Sequence, residues 1–152
     1  MNAARRQESA PGDEQLERIP SILLIDDEVL VRLALADYLR ECGFKVYEAG
    51  NAGEAIEILE AGEPPIDLVF SDVRMPGEMD GFGLARWIQR RREGLAVILT
   101  SGDRKKTDAA KQLCENEPFF EKPYNLEAVL AEVRRIIDAR SPRGGRGIPD
   151  SR

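Results

Sequence analysis

Residues Leu68 to Gly81 read LVFSDVRMPGEMDG, and the fold turns on Asp72 within them. Leu68, Val69 and Phe70 form the short apolar run of a buried strand. Asp72 then stands at the strand's C-terminal tip. A carboxylate there is costly to desolvate unless a partner or a counter-ion compensates. The remainder of the chain must supply that partner.

Upstream, Ile22-Leu23-Leu24-Ile25 is a second unbroken apolar run, read as a strand buried on both faces, and it leads straight into Asp26-Asp27-Glu28. From Val31 the spacing becomes helical: Val31, Ala34, Leu35, Tyr38, Leu39 and Cys42 share a stripe that Gly43 ends. Phe44 to Glu48 alternates like a strand near a sheet edge. Asn51 offers a helix cap and Glu54 completes a capping box, with Ala55, Ile56 and Leu59 turned inward. Gly62-Glu63-Pro64-Pro65 ends that helix and returns the chain to the Asp72 strand.

Downstream, Leu84, Trp87 and Ile88 mark a third helix, closed by Arg90-Arg91-Arg92-Glu93 and Gly94. Trp87 reads as a helix residue packed on the sheet, with partner contact as the alternative. Ala96 to Leu99 forms a fourth strand that delivers Thr100-Ser101-Gly102. Residues 103–116 are polar, with only Ala109, Ala110 and Leu113 to form an apolar face, and make the least stable of the predicted helices. Phe119-Phe120 is a very short last strand ending at Lys122-Pro123. Asn125 caps a final helix bearing Leu126, Val129, Leu130, Val133, Ile136 and Ile137 on one side.

Strands and helices alternate five times, which predicts an α/β domain: a five-stranded parallel sheet with helices on both faces and right-handed crossovers. In such sheets the functional crevice lies beyond the C-terminal strand ends. Asp26, Asp27, Asp72, Thr100 and Lys122 all follow predicted strands and meet there.

Composition narrows the function. The 152 residues suit one domain, and 42% hydrophobic with 33% charged residues is a globular balance. Residues 1–18 read as a disordered arm, 19–140 as the domain, and 141–152 as a disordered Gly-, Pro- and Arg-rich tail. No stretch of about 18 apolar residues and no secretory leader is present, so the expected location is cytoplasmic, without membrane insertion. Cys42 and Cys114 read as reduced thiols. The chain has no histidine, which removes Ser-His-Asp and Cys-His catalysis, His-ligated zinc and a phosphohistidine of its own. A net charge of -6 argues against wrapping nucleic acid.

Three converging carboxylates repel one another unless a cation intervenes, and an oxygen-only donor set suits Mg2+. Taken alone, Asp26-Asp27-Glu28 also fits helix capping with first-turn acids. Asp72 is not explained that way. A carboxylate can attack phosphorus, and phosphoryl transfer needs alignment and charge neutralisation, tasks that suit Lys122 and Thr100.

At these residues the sequence resembles the receiver domain of bacterial two-component response regulators, over about residues 20 to 140. The motif is an acid pair, a strand-tip Asp, a Thr-Ser and a Lys-Pro in order. The resemblance implies a flavodoxin-like (βα)5 fold with strand order 2-1-3-4-5. It implies Asp72 as phosphoacceptor, and Asp26, Asp27, Asp72 and the Arg74 backbone carbonyl as the Mg2+ site. Thr100 and Lys122 would contact the phosphoryl group, small Ser101 would leave it room, and Lys122-Pro123 would be cis. Phe119 matches an aromatic that reports activation on a signalling face made by the fourth helix, last strand and last helix. Implied partners are a histidine kinase or phosphotransfer protein and a downstream protein, with no DNA-binding domain in this chain.

Two features depart from the family pattern. Met75-Pro76-Gly77-Glu78-Met79-Asp80-Gly81 is one residue longer than the common M-P-x-M-D-G form, and the usual Gly-Ala before the last strand is missing between Cys114 and Pro118. Rival readings are an aspartyl-phosphate phosphatase, a nucleotide-binding module, and an adaptor that works without phosphorylation. The first needs an acid where Arg74 stands. The second lacks the third glycine of the dinucleotide fingerprint after Gly81-Phe82-Gly83.

Overall fold

A computed structural model of the chain describes residues 18–102 and 118–140. The strands are β1 (Ser21–Ile25), β2 (Lys45–Ala49), β3 (Leu68–Asp72), β4 (Ala96–Ser101) and β5 (Phe119–Glu121). The described helices are α1 (Val29–Glu41), α2 (Ala52–Ala61), α3 (Gly81–Arg91) and α4 (Leu126–Arg140). The helix expected over 103–116, Cys114, residues 1–17 of the predicted arm and the whole predicted tail 141–152 lie outside the described residues.

All five strands are parallel, in the order β2-β1-β3-β4-β5. The expected α/β sheet and strand order are therefore observed. Strand order reverses between β1 and β3, and the crevice follows from that reversal.

Side-chain alternation along the strands divides the core into two layers. Leu23, Ile25, Ala49, Val69, Val97 and Leu99 meet α2 and α3 through Ala55, Leu59, Leu84 and Ile88. Ile22, Leu24, Val46, Leu68, Phe70 and Ile98 meet α1 and α4 through Leu35, Leu39, Val129 and Val133. Strands β1 and β3 are buried on both faces, as their unbroken apolar runs require. At the sheet edge, β2 keeps Lys45 exposed while Val46 and Ala49 are buried.

Local signals act largely as read. Asn51 Oδ1 accepts a 2.9 Å bond from Glu54 N–H, and Glu54 Oε1 accepts from Gly50 N–H at 2.8 Å. Asn125 Oδ1 accepts from Ala128 N–H. Gly62 closes α2 in the left-handed region with φ 75°.

On α1 the buried set is Leu35, Ala36 and Leu39, while Ala34 is exposed. Periodicity sets the spacing of a stripe, but alanines on both of its flanks leave the helix's rotation to packing. Arg18, read as part of the arm, forms two bonds to Asp67, at 3.1 and 2.7 Å. The same carboxylate accepts Ser21 N–H at 2.8 Å. The chain is thus tied down three residues before β1, because a buried strand start needs partners for its backbone.

Candidate functional site

Strand register assembles the site. Leu24 pairs with Phe70, Asp72 with Thr100, and Thr100 with Phe120. Continuing each strand by its period of two places Asp26, Asp72, Thr100 and Lys122 on the face that carries α1 and α4. The apolar residues two positions earlier, Leu24, Phe70, Ile98 and Phe120, form the floor beneath them.

Carboxylate oxygens of Asp26, Asp27 and Asp72 lie within 4.8 Å of one another. Asp26 and Asp72 are 2% and 4% exposed. Lys122 Nζ donates to Asp26 Oδ2 at 3.0 Å, Asp72 Oδ2 at 3.2 Å and Glu28 Oε1 at 2.7 Å. Its ammonium serves as an internal cation between acids that would otherwise repel. The Lys122-Pro123 bond is cis, as expected.

Burial, reinforced by Asp26, holds the Asp72 pKa above the usual carboxylate value, although Lys122 pulls it down. Burial works against the Lys122 ammonium, but its bonds to Glu28 and Asp26 and the charge of Asp72 more than compensate and raise its pKa. Thr100 Oγ1 is fully buried with no hydrogen-bond partner among the described residues. A buried hydroxyl left unpaired costs about 1–3 kcal/mol, so Thr100 Oγ1 is chemically suited to donate to an oxygen at this strand end. The three carboxylates are hard oxygen donors without nitrogen or sulfur, and this set fits Mg2+.

Arg74 N–H makes a long 3.4 Å bond to Asp72 Oδ1, which sets the Arg74 backbone beside the carboxylate. Ser101 is buried. Phe119 is not brought to the acids. It lies on the opposite face, packed against the α2–α3 layer, as does Trp87, whose ring carries Arg91 at 5.6 Å. A cleft of about 480 Å3, bordered by Val31, Leu35, Pro123, Tyr124 and Leu126, opens beside Glu28 and Lys122.

Helix capping is not what the first acids do. α1 begins at Val29 with no acid in its first turn, and Glu28 at the cap makes no side-chain cap bond. Asp26 Oδ1 instead accepts Glu28 N–H at 2.9 Å.

Sequence reasoning gave no site role to Glu28 or Gly81. Glu28 is a third acceptor for Lys122. Gly81 lies against the Asp72 backbone, so close that a Cβ there would stand 2.4 Å from the Asp72 carbonyl oxygen. A glycine after the Asp80 cap of α3 was its only signal.

The family described as response regulator receiver domain matches residues 22–134. This chain belongs to the response regulator receiver family. The receiver is 34% identical over 123 residues to the probable chemotaxis protein CheY of Rhizobium etli, covering 78% of this chain and 92% of that protein. It is 33% identical over 124 residues to the transcriptional regulatory protein AruR of Pseudomonas aeruginosa, covering 78% of this chain but spanning only 50% of AruR. Among solved structures, the response regulator TrrA of Thermotoga maritima, in complex with Mg2+-BeF, matches with a TM-score of 0.67 at 26% identity. That match covers 78% of this chain and 99% of TrrA. The receiver belongs to two-component signalling, and among the described residues no helix is long and apolar enough to cross a membrane.

Proposed function

We propose that this receiver accepts a phosphoryl group on Asp72 from a phosphohistidine of a histidine kinase or phosphotransfer protein. The observation that carries the reading is the convergence of Asp26, Asp72 and Glu28 on the Lys122 ammonium, with Asp27 beside the first two and a Thr100 hydroxyl unpartnered among the described residues. An Asp72 oxygen attacks phosphorus, the P–N bond to the donor imidazole breaks with its electron pair going to nitrogen, and an acyl phosphate forms. Lys122 exchanges its contact with Asp72 for a phosphoryl oxygen, and Thr100 donates its hydrogen bond to another. Asp26, Asp27, Asp72 and the Arg74 carbonyl are the residues that would hold Mg2+, the ion named in the TrrA complex. When bound, Mg2+ supplies charge neutralisation for the phosphoryl oxygens.

Drawing Thr100 and Lys122 toward the phosphoryl group pulls on the ends of β4 and β5 and biases the face around Phe119 between two arrangements. A downstream protein reads it, or the phosphoryl group passes on in a relay, with the cytoplasm as the expected setting. The domain is taken to span residues 19–140, a reading supported within 22–134 by the family match. Signalling is favoured over turnover of an external phosphate ester, because Arg74 occupies the position where a phosphatase needs a proton donor.

The test is incubation with acetyl phosphate and Mg2+. A hydroxylamine-labile phosphoryl label is expected on the wild type and none on Asp72→Asn. An equal label on both proteins would remove Asp72 from the role.

A further inference from the structure

The loop from Asp26 to Glu28 has to present two carboxylates side by side, yet it lacks the usual means of fixing its shape. The helix behind it has no side-chain cap. Asp26 secures its own side chain by accepting Glu28 N–H. Asp27 is exposed, and among the described residues no side chain bonds its carboxylate, so its position depends on the backbone.

That backbone is gripped from one turn into α1. Arg32 Nη1 donates to the Asp26 carbonyl oxygen at 2.6 Å, and this oxygen belongs to the peptide that joins Asp26 to Asp27. Arg32 Nε donates to Glu48 Oε1 on β2 at 3.0 Å. Glu48 Oε2 in turn accepts from Arg40 Nη2 at 3.1 Å, and the same Nη2 donates to the Val46 carbonyl at 2.7 Å. Arg32 and Glu48 side chains are 18% and 21% exposed, so the pair is largely shielded from water. A planar guanidinium holds two acceptors in fixed directions, which a lysine ammonium on a flexible stem does not.

We propose that Arg32, anchored by Glu48, is a positioning residue that sets the Asp26–Asp27 peptide so that Asp27 can share a divalent cation with Asp72. The inference rests on the Mg2+ reading above and adds the residue that tunes the ion's affinity. Outer partners of metal ligands typically change affinity by 10- to 100-fold. A main-chain clamp on an adjacent peptide belongs at the low end.

Mg2+ affinity by calorimetry and the Mg2+ dependence of acetyl phosphate labelling decide the matter in the full chain. For Arg32→Met, the Mg2+ dissociation constant and the half-saturating Mg2+ concentration should rise roughly tenfold, with the labelling rate at saturating Mg2+ close to wild type. Arg40→Met removes an arginine from the same network without touching Asp26, and should lose thermal stability while keeping its Mg2+ affinity. Equal affinity in folded Arg32→Met, or equal losses in both variants, would overturn the proposal. If Arg32→Met does not fold, Arg32→Lys decides, since one ammonium cannot hold both acceptors in the same geometry: weakened Mg2+ binding supports the clamp and wild-type binding refutes it. Absence of Mg2+ binding by the wild type would instead sink the reading on which the proposal rests.

Discussion

Asp72 is held in the folded protein with a raised pKa, chiefly by burial and then by Asp26. Its protonated form therefore contributes stability that is complete below the unfolded carboxylate pKa and is lost as pH rises through the folded value. At neutral pH without metal, ionised Asp72 is a burden on the fold. Asp72→Asn should raise the metal-free Tm by a few degrees at pH 7, an advantage that shrinks as pH falls through the folded value and is gone below the unfolded one; thermal melts across pH check it. Lys122 keeps Asp26 and Glu28 as partners in that variant.

Gly81 is the opposite case, a residue without chemistry that the chemistry requires. Gly81→Ala would drive a methyl group into the Asp72 carbonyl and to 2.7 Å from Val73 Cα. Backbone cannot swing aside as a side chain can, so a loss of about 3 kcal/mol is expected. Denaturant unfolding would measure it, and acetyl phosphate labelling should fall as Asp72 is displaced.

Among the elements, the starts of α2, α3 and α4 follow their side-chain caps closely enough to be tested singly. Asn51→Ala should cost about 1 kcal/mol, read from denaturant melts, because Glu54 N–H loses its acceptor. The strands were legible because each is a short apolar run ending in a polar residue, and parallel alternation then placed those polar ends together. The acids, Thr100 and Lys122 could be found in this way. Arg32 could not, because an arginine four residues beyond Glu28 looks like any solvated helix residue until β2 brings Glu48 beside it. Nor could the rotation of α1, where Ala36 rather than Ala34 faces the sheet. Contacts between elements distant in sequence decide such cases, and periodicity is blind to them.

For the whole molecule, occupancy of the acid cluster should act on global stability. A cation that binds only the folded state contributes about 2.7 kcal/mol at a hundred times its dissociation constant. Mg2+ should therefore raise the Tm by several degrees in a concentration-dependent way, and Asp27→Asn should abolish most of the rise. A differential scanning measurement with Ca2+ alongside would show whether the effect follows ion size.

The staple between Arg18 and Asp67 closes the end of the sheet remote from the carboxylates. Five-residue strands separate the two ends by roughly 15 Å. A dye attached at exposed Ile19, next to Arg18, would therefore ride on a fixed point of the protein and leave the approach to Asp72 clear, making it a suitable vantage for watching a phosphodonor arrive by energy transfer.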